Sequence, residues 1–116
     1  VSLLEVRMRV LMGDFAALYR LGLRDILSGD AVQVIEAESG RLIELLVEVL
    51  PQVVVLDGDK EETGCTVAQI VRDFPAIRVI ACSSQTPTMR VFPSFHSGES
   101  YSTPLDPASL KQEVLV

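Results

Sequence analysis

The sequence predicts an α/β domain built on a parallel sheet with helices on both faces, and three observations carry that expectation. Val53-Val54-Val55-Leu56 is a continuous apolar run, the mark of a strand buried on both faces inside a parallel sheet. Short apolar runs alternate with stretches of helical period along most of the chain, which argues for repeated strand–helix units. The 116 residues are 48% hydrophobic and 5% aromatic, enough for one aliphatic core and too few for two ordinary domains. Residues 1–116 therefore read as a single domain.

Taken in order, Arg9 to Gly13 gives a short apolar strand, and Ala16 to Leu27 then sets Tyr19, Leu23, Ile26 and Leu27 on one helical face. Val32 to Ala37 reads as a second strand. Leu42, Leu45, Leu46 and Val49 follow as a helical stripe that stops before Pro51. Val53 to Leu56 is the third strand; Val67, Ile70, Val71 and Phe74 form the next helical stripe, stopped by Pro75. Val79 to Cys82 is the fourth strand. From Ser84 to Ser102 the regularity fails. Pro87 can open a helix with Thr86 as its cap, but Pro93 ends it after little more than one turn, so the fourth helix is expected to be short or disrupted. A weak, polar strand around Tyr101 to Thr103 and a closing helix from Pro107 complete the pattern, with Asp106 as cap and Leu110 and Val114 facing inward.

Charge and composition exclude several function classes. Sixteen acids against 10 bases leave a net charge of -6 with no basic cluster, which disfavours nucleic acid and anionic membrane. The apolar runs are far short of a membrane span, and no targeting signal is visible. Cys65 and Cys82 lie too far apart for a Cys-x-x-Cys site, and a reducing cytoplasm is the expected compartment. Cys82 ends an apolar run and reads as a small core residue. His96 is the only histidine, so a multi-histidine metal site is ruled out.

The chemistry concentrates at Asp57, delivered by the most apolar strand to a glycine-broken loop, Asp57-Gly58-Asp59. In open α/β sheets, ligands bind beyond the carboxyl ends of the strands. Five landmarks then resemble the receiver domain of bacterial two-component response regulators. They are Arg9-Val10-Leu11-Met12-Gly13-Asp14, Leu21-Gly22-Leu23-Arg24, Pro51 through Asp57, Arg78-Val79-Ile80-Ala81-Cys82-Ser83, and Thr103-Pro104. The resemblance covers nearly the whole chain, from Arg9 to Val114. The second landmark is similar to regulators that carry a helix-turn-helix output domain, and the chain reads as a fragment of such a regulator.

The resemblance implies a flavodoxin-like, five-stranded parallel sheet in the order 2-1-3-4-5. It also implies phosphoryl transfer from a histidine kinase to an aspartate, assisted by Mg²⁺. By position, Asp57 is the candidate phosphoacceptor and Ser83 the hydroxyl that contacts a phosphoryl oxygen. Asp14, Asp57 and, through its carbonyl, Asp59 are the candidate metal ligands that the resemblance implies.

Two departures redirect that expectation. Phe15 stands where the family has a second acid, and Thr103 stands where it has a lysine. A phenyl ring cannot ligate Mg²⁺, and a hydroxyl cannot replace an ammonium beside a phosphoryl group. Mg²⁺ binding is accordingly expected to be weak or absent. The leading expectation is a phosphorylation-independent interaction or dimerisation module for a protein partner or a second copy. The alternative is an orthodox receiver phosphorylated on Asp57. Asp57-Gly58-Asp59 also resembles the nucleophile motif of haloacid-dehalogenase-type phosphatases, but only Lys60 and Lys111 follow it and no paired acids end a later strand, so no enzyme is expected.

Overall fold

The apolar runs become strands and the amphipathic stretches become helices in a computed structural model that describes residues 8–13, 15–27, 32–38, 40–96 and 99–115. The chain order is β1 (Met8–Met12), α1 (Ala17–Leu27), β2 (Val32–Glu36), α2 (Leu42–Val49), β3 (Val53–Asp57) and α3 (Thr63–Asp73). It continues through β4 (Arg78–Ser83), β5 (Thr88–Phe92), β6 (Tyr101–Pro104) and α4 (Pro107–Leu115). Asp106 caps α4 as expected: its carboxylate accepts the amide of Ser109 at 2.9 Å, with Pro107 opening the helix.

The sheet has six strands in the order β2-β1-β3-β4-β5-β6, so the expected five-stranded parallel sheet needs correction. Strands β1 to β4 are parallel, β5 runs antiparallel to β4, and β6 runs antiparallel to β5. The segment expected to hold a short fourth helix is instead β5. Its residues alternate Thr88 out, Met89 in, Arg90 out, Val91 in, which is the two-residue period of a half-buried strand. Pro87 lies in the turn before it and Pro93 just after it, outside the ladder whose hydrogen bonds a proline would break.

The core lies on both faces of the sheet. Leu23 and Leu27 of α1 and Leu110 and Val114 of α4 pack against Val10, Val53, Val55, Ile80 and Met89. Leu46 of α2 and Val67 and Ile70 of α3 pack on the other face against Leu11, Val54, Leu56 and Val79. β3 feeds both clusters, and Val53 to Leu56 are all buried. Each fully buried aliphatic side chain contributes about 1.5–3 kcal/mol, so this strand anchors the sheet.

Polar contacts hold the elements added at the edges. Arg78 of β4 donates to Glu113 of α4 at 2.6 Å, and Tyr101 of β6 donates its hydroxyl to the same carboxylate. Both charged side chains of that pair are less than one-fifth exposed, at 17% and 16%, so the pair is screened less than a surface one. On the opposite edge, Arg20 and Arg24 of α1 both pair with Glu36 of β2.

The C-terminus of α2 shows a local conflict. Leu50 caps the helix in the left-handed region, φ 51° and ψ 59°, where a Cβ is unfavourable. The Arg9 guanidinium compensates by donating to the carbonyls of Val49 and Leu50 at 3.1 and 3.0 Å. Because Leu50 is 63% exposed, its side chain adds little packing. Leu50→Gly is expected to raise stability by roughly 0.5–1 kcal/mol, seen as a higher urea midpoint with an unchanged slope.

Candidate functional site

The half-buried Asp57 ends β3 beside a cavity of about 380 Å³ at the carboxyl ends of β1 and β3. The sheet order reverses between these two strands, and such a switch point opens the crevice where α/β sheets take ligands. Gly13, Leu56, Lys60, Glu62 and Thr63 share its lining with Asp57. Glu62 lines the crevice while remaining exposed.

The loop after β3 is fixed by a dense set of hydrogen bonds. The amide of Gly58 donates to the Cys82 carbonyl at 2.7 Å, and the amide of Asp59 donates to Asp57 Oδ1 at 3.0 Å. Thr63 Oγ1 donates to the Asp57 carbonyl at 2.6 Å. Glycine is required at position 58 by close approach: an added Cβ would lie 3.2 Å from the Cys82 carbonyl oxygen, a backbone atom with little room to yield.

Asp59 does not turn its carboxylate toward Asp57 as a metal partner. One oxygen accepts the Ser83 hydroxyl at 2.7 Å; the other accepts the Ser84 amide at 2.9 Å and the Ser84 hydroxyl at 3.0 Å. Thr86 in turn donates its amide to Ser83 Oγ at 3.3 Å. The carboxylate thus ties the β3–α3 loop to the β4–β5 turn. Ser83, expected to contact a phosphoryl group on Asp57, is committed to this tie. Ser84 is a member that sequence reasoning missed; the signal was the hydroxyl cluster Ser83-Ser84-x-Thr86 behind a strand end.

Thr103 lies in β6, far from the crevice. The register runs Asp57 to Cys82 to Met89 to Thr103 across one row of the sheet, three strand spacings or about 14 Å. β5, in place of the expected helix, accounts for one of those spacings. Of the expected ligands for Mg²⁺, Asp57 lines the crevice, Asp14 lies outside the described residues, and at Asp59 the serines hold the carboxylate, not the carbonyl expected to meet the metal. Among the described residues, no group of three or more His, Cys, Asp or Glu is arranged around a common metal position.

Phe15 is 3% exposed and packs in the core on the α1/α4 face, its ring centroid 5.4 Å from that of Tyr19. It fills space between β1 and α1. The Tyr19 hydroxyl is buried without a hydrogen-bond partner. Burial, with smaller contributions from Cys82, Asp57 and Asp59, pushes this phenol up to about 12. Burial and then the charge of Asp57 likewise push the Cys82 thiol up to about 12, so it is a packing residue and not a nucleophile.

Two outcomes are expected from these contacts. Tyr19→Phe removes an unsatisfied buried hydroxyl and should leave stability unchanged or raise it by about 1 kcal/mol, measured by urea unfolding. The carboxyl of Asp59 is held below its ordinary 3.8 chiefly by the Ser83 hydrogen bond, and further by those from Ser84. A group whose folded pKa is depressed contributes fully above its unfolded value, and that contribution is lost as pH falls through the lower folded value. Urea midpoints between about pH 5 and pH 2 should therefore fall less steeply for Asp59→Asn than for the parent chain. Ser84 amide exchange should also be faster in that variant at neutral pH.

With this geometry in place, the chain was compared with known proteins: no protein-family model, curated protein or solved structure matches it.

Proposed function

We propose that this chain is a degenerate receiver domain of a cytoplasmic regulator and acts as a phosphorylation-independent protein-interaction module. The observation that supports it most is the Asp59 tie. In a phosphorylation switch, a modified Asp57 would have to recruit a hydroxyl at the end of β4 and so move the adjoining face. Here Ser83 already donates to a carboxylate at 2.7 Å, and the same carboxylate holds the Ser84 amide. The turn is set without a phosphoryl group. The separation of Thr103 from Asp57 points the same way, since no group from β6 reaches the crevice to offset charge on a phosphoryl oxygen.

In this reading the sheet is a receiver sheet of order 2-1-3-4-5 with one antiparallel strand inserted before the last. The module would form the N-terminal part of a transcriptional regulator. It would act through a protein partner or a second copy and leave nucleic acid to another domain. The second reading is an orthodox receiver that takes a phosphoryl group from a histidine kinase. What favours it is the placement of Asp57 at the switch-point crevice, where Lys60 also lines the wall.

Incubation with acetyl phosphate and Mg²⁺, followed by intact mass measurement, separates the two. No phosphoryl adduct is expected on the parent chain. An adduct that is lost in Asp57→Ala would establish the orthodox receiver instead.

A further inference from the structure

The helical layer on the α2/α3 face stops one helix short of the sheet edge. On the opposite face α1 and α4 cover the sheet out to Met89 and Val91 of β5. On the α2/α3 face the outward residues of β5 and β6 lie open beside α3, and they form one side of a cavity of about 930 Å³. Val67, Ala68 and Val71 of α3 form its wall; Ala81, Arg90 and Phe92 of β4 and β5 line its floor.

The dimensions and charge of this groove select its occupant. Its floor crosses β4 to β6, two strand spacings or about 10 Å, close to the diameter of one helix. Its wall is the 11-residue helix α3, about 16 Å long. An added strand is the poorer fit, because the β6 edge is only four residues long and ends at Pro104. Arg72 and Arg90 line the groove and no carboxylate does, in a chain whose net charge is -6. By contrast, the crevice at Asp57 is lined by Glu38, Asp57 and Glu62. Arg90 is held on the face by its hydrogen bond to Ser100 at 2.9 Å and lies 5.8 Å from the centroid of the Phe92 ring. Arg72 is shared with its neighbour Asp73, so Arg90 carries most of the selectivity.

We infer that this groove is a docking site for a single amphipathic α-helix of a partner protein, apolar on its inner face and flanked by acidic residues. The apolar side chains of that helix lie against Val67, Val71 and Phe92, and its carboxylates meet Arg90 and Arg72. The inference rests on the interaction-module reading and names its partner chemistry.

The test is a titration of the ¹⁵N-labelled chain with two helix-forming peptides of about 16 residues, each with leucines on one face. One peptide carries glutamates beside the leucines, and the other carries lysines at the same positions. Amide shifts are expected in α3 and β5, with the glutamate peptide bound about tenfold more tightly than the lysine peptide. Arg90→Glu should abolish or invert that preference, and Arg90→Gln should weaken it while keeping the parent amide spectrum. Absence of shifts, shifts confined to another surface, or equal binding of the two peptides would overturn the assignment. Adding acetyl phosphate and Mg²⁺ to the same labelled sample tests the underlying reading separately. A phosphodonor-dependent shift at Asp57 would remove the interaction-module reading, whereas a silent Asp57 with an empty groove would remove only the docking site.

Discussion

Burial of β3 on both faces is the constraint from which the rest of the molecule follows. Val53 and Val55 enter one core and Val54 and Leu56 the other, so a slip of one residue would exchange the two sets. Neighbouring strands must match that register, and β1 and β4 do so with all three strands parallel. Because the apolar run ends at Leu56, the next residue emerges at the carboxyl end of the sheet. Asp57 is therefore placed by packing, and its position says more about the sheet than about any reaction.

Beyond β4, polar contacts largely replace that apolar constraint. Strand β5 buries only Met89 and Val91, and β6 is exposed or half-buried along its length. The antiparallel half of the sheet is held at its top by Asp59 on Ser83 and Ser84, and at its bottom by Arg78, Tyr101 and Glu113. Neither contact resembles the aliphatic packing of the parallel half. Such contacts are directional and fix orientation, which suits strands that contribute little apolar area of their own.

This division also explains what was legible in the sequence. Four parallel strands and four helices could be read because their apolar periods are long enough to distinguish, with Pro51, Pro75 and Asp106 marking boundaries. β5 was not legible because only five residues separate Pro87 from Pro93. Over so short a span, Thr88 to Phe92 fits one helical turn or one alternating strand, and a continued strand–helix repeat favours the helix. At the site, the placement of Asp57 followed from its strand. The partner of Asp59 could not, because it depends on where the β4–β5 turn lies, and that turn exists only if β5 is a strand.

One element, the strand β5 where the sequence predicts a short helix, bears on both the crevice and the groove. β5 lies between β4 and β6 in the sheet, so Thr103 stands about 14 Å from Asp57, and the turn that leads into β5 sets Ser83 and Ser84 on Asp59. The outward residues of β5 also line the groove beside α3. That sheet face is open next to α3, with polar Thr88, Arg90 and Ser102 making it tolerable in water. The hydrogen-bonded turn beside the crevice and the open groove thus both depend on this one strand. A helix over Thr88 to Phe92 would supply neither the β4–β5 turn that meets Asp59 nor this part of the groove floor, and for that reason the groove and the crevice are best understood together.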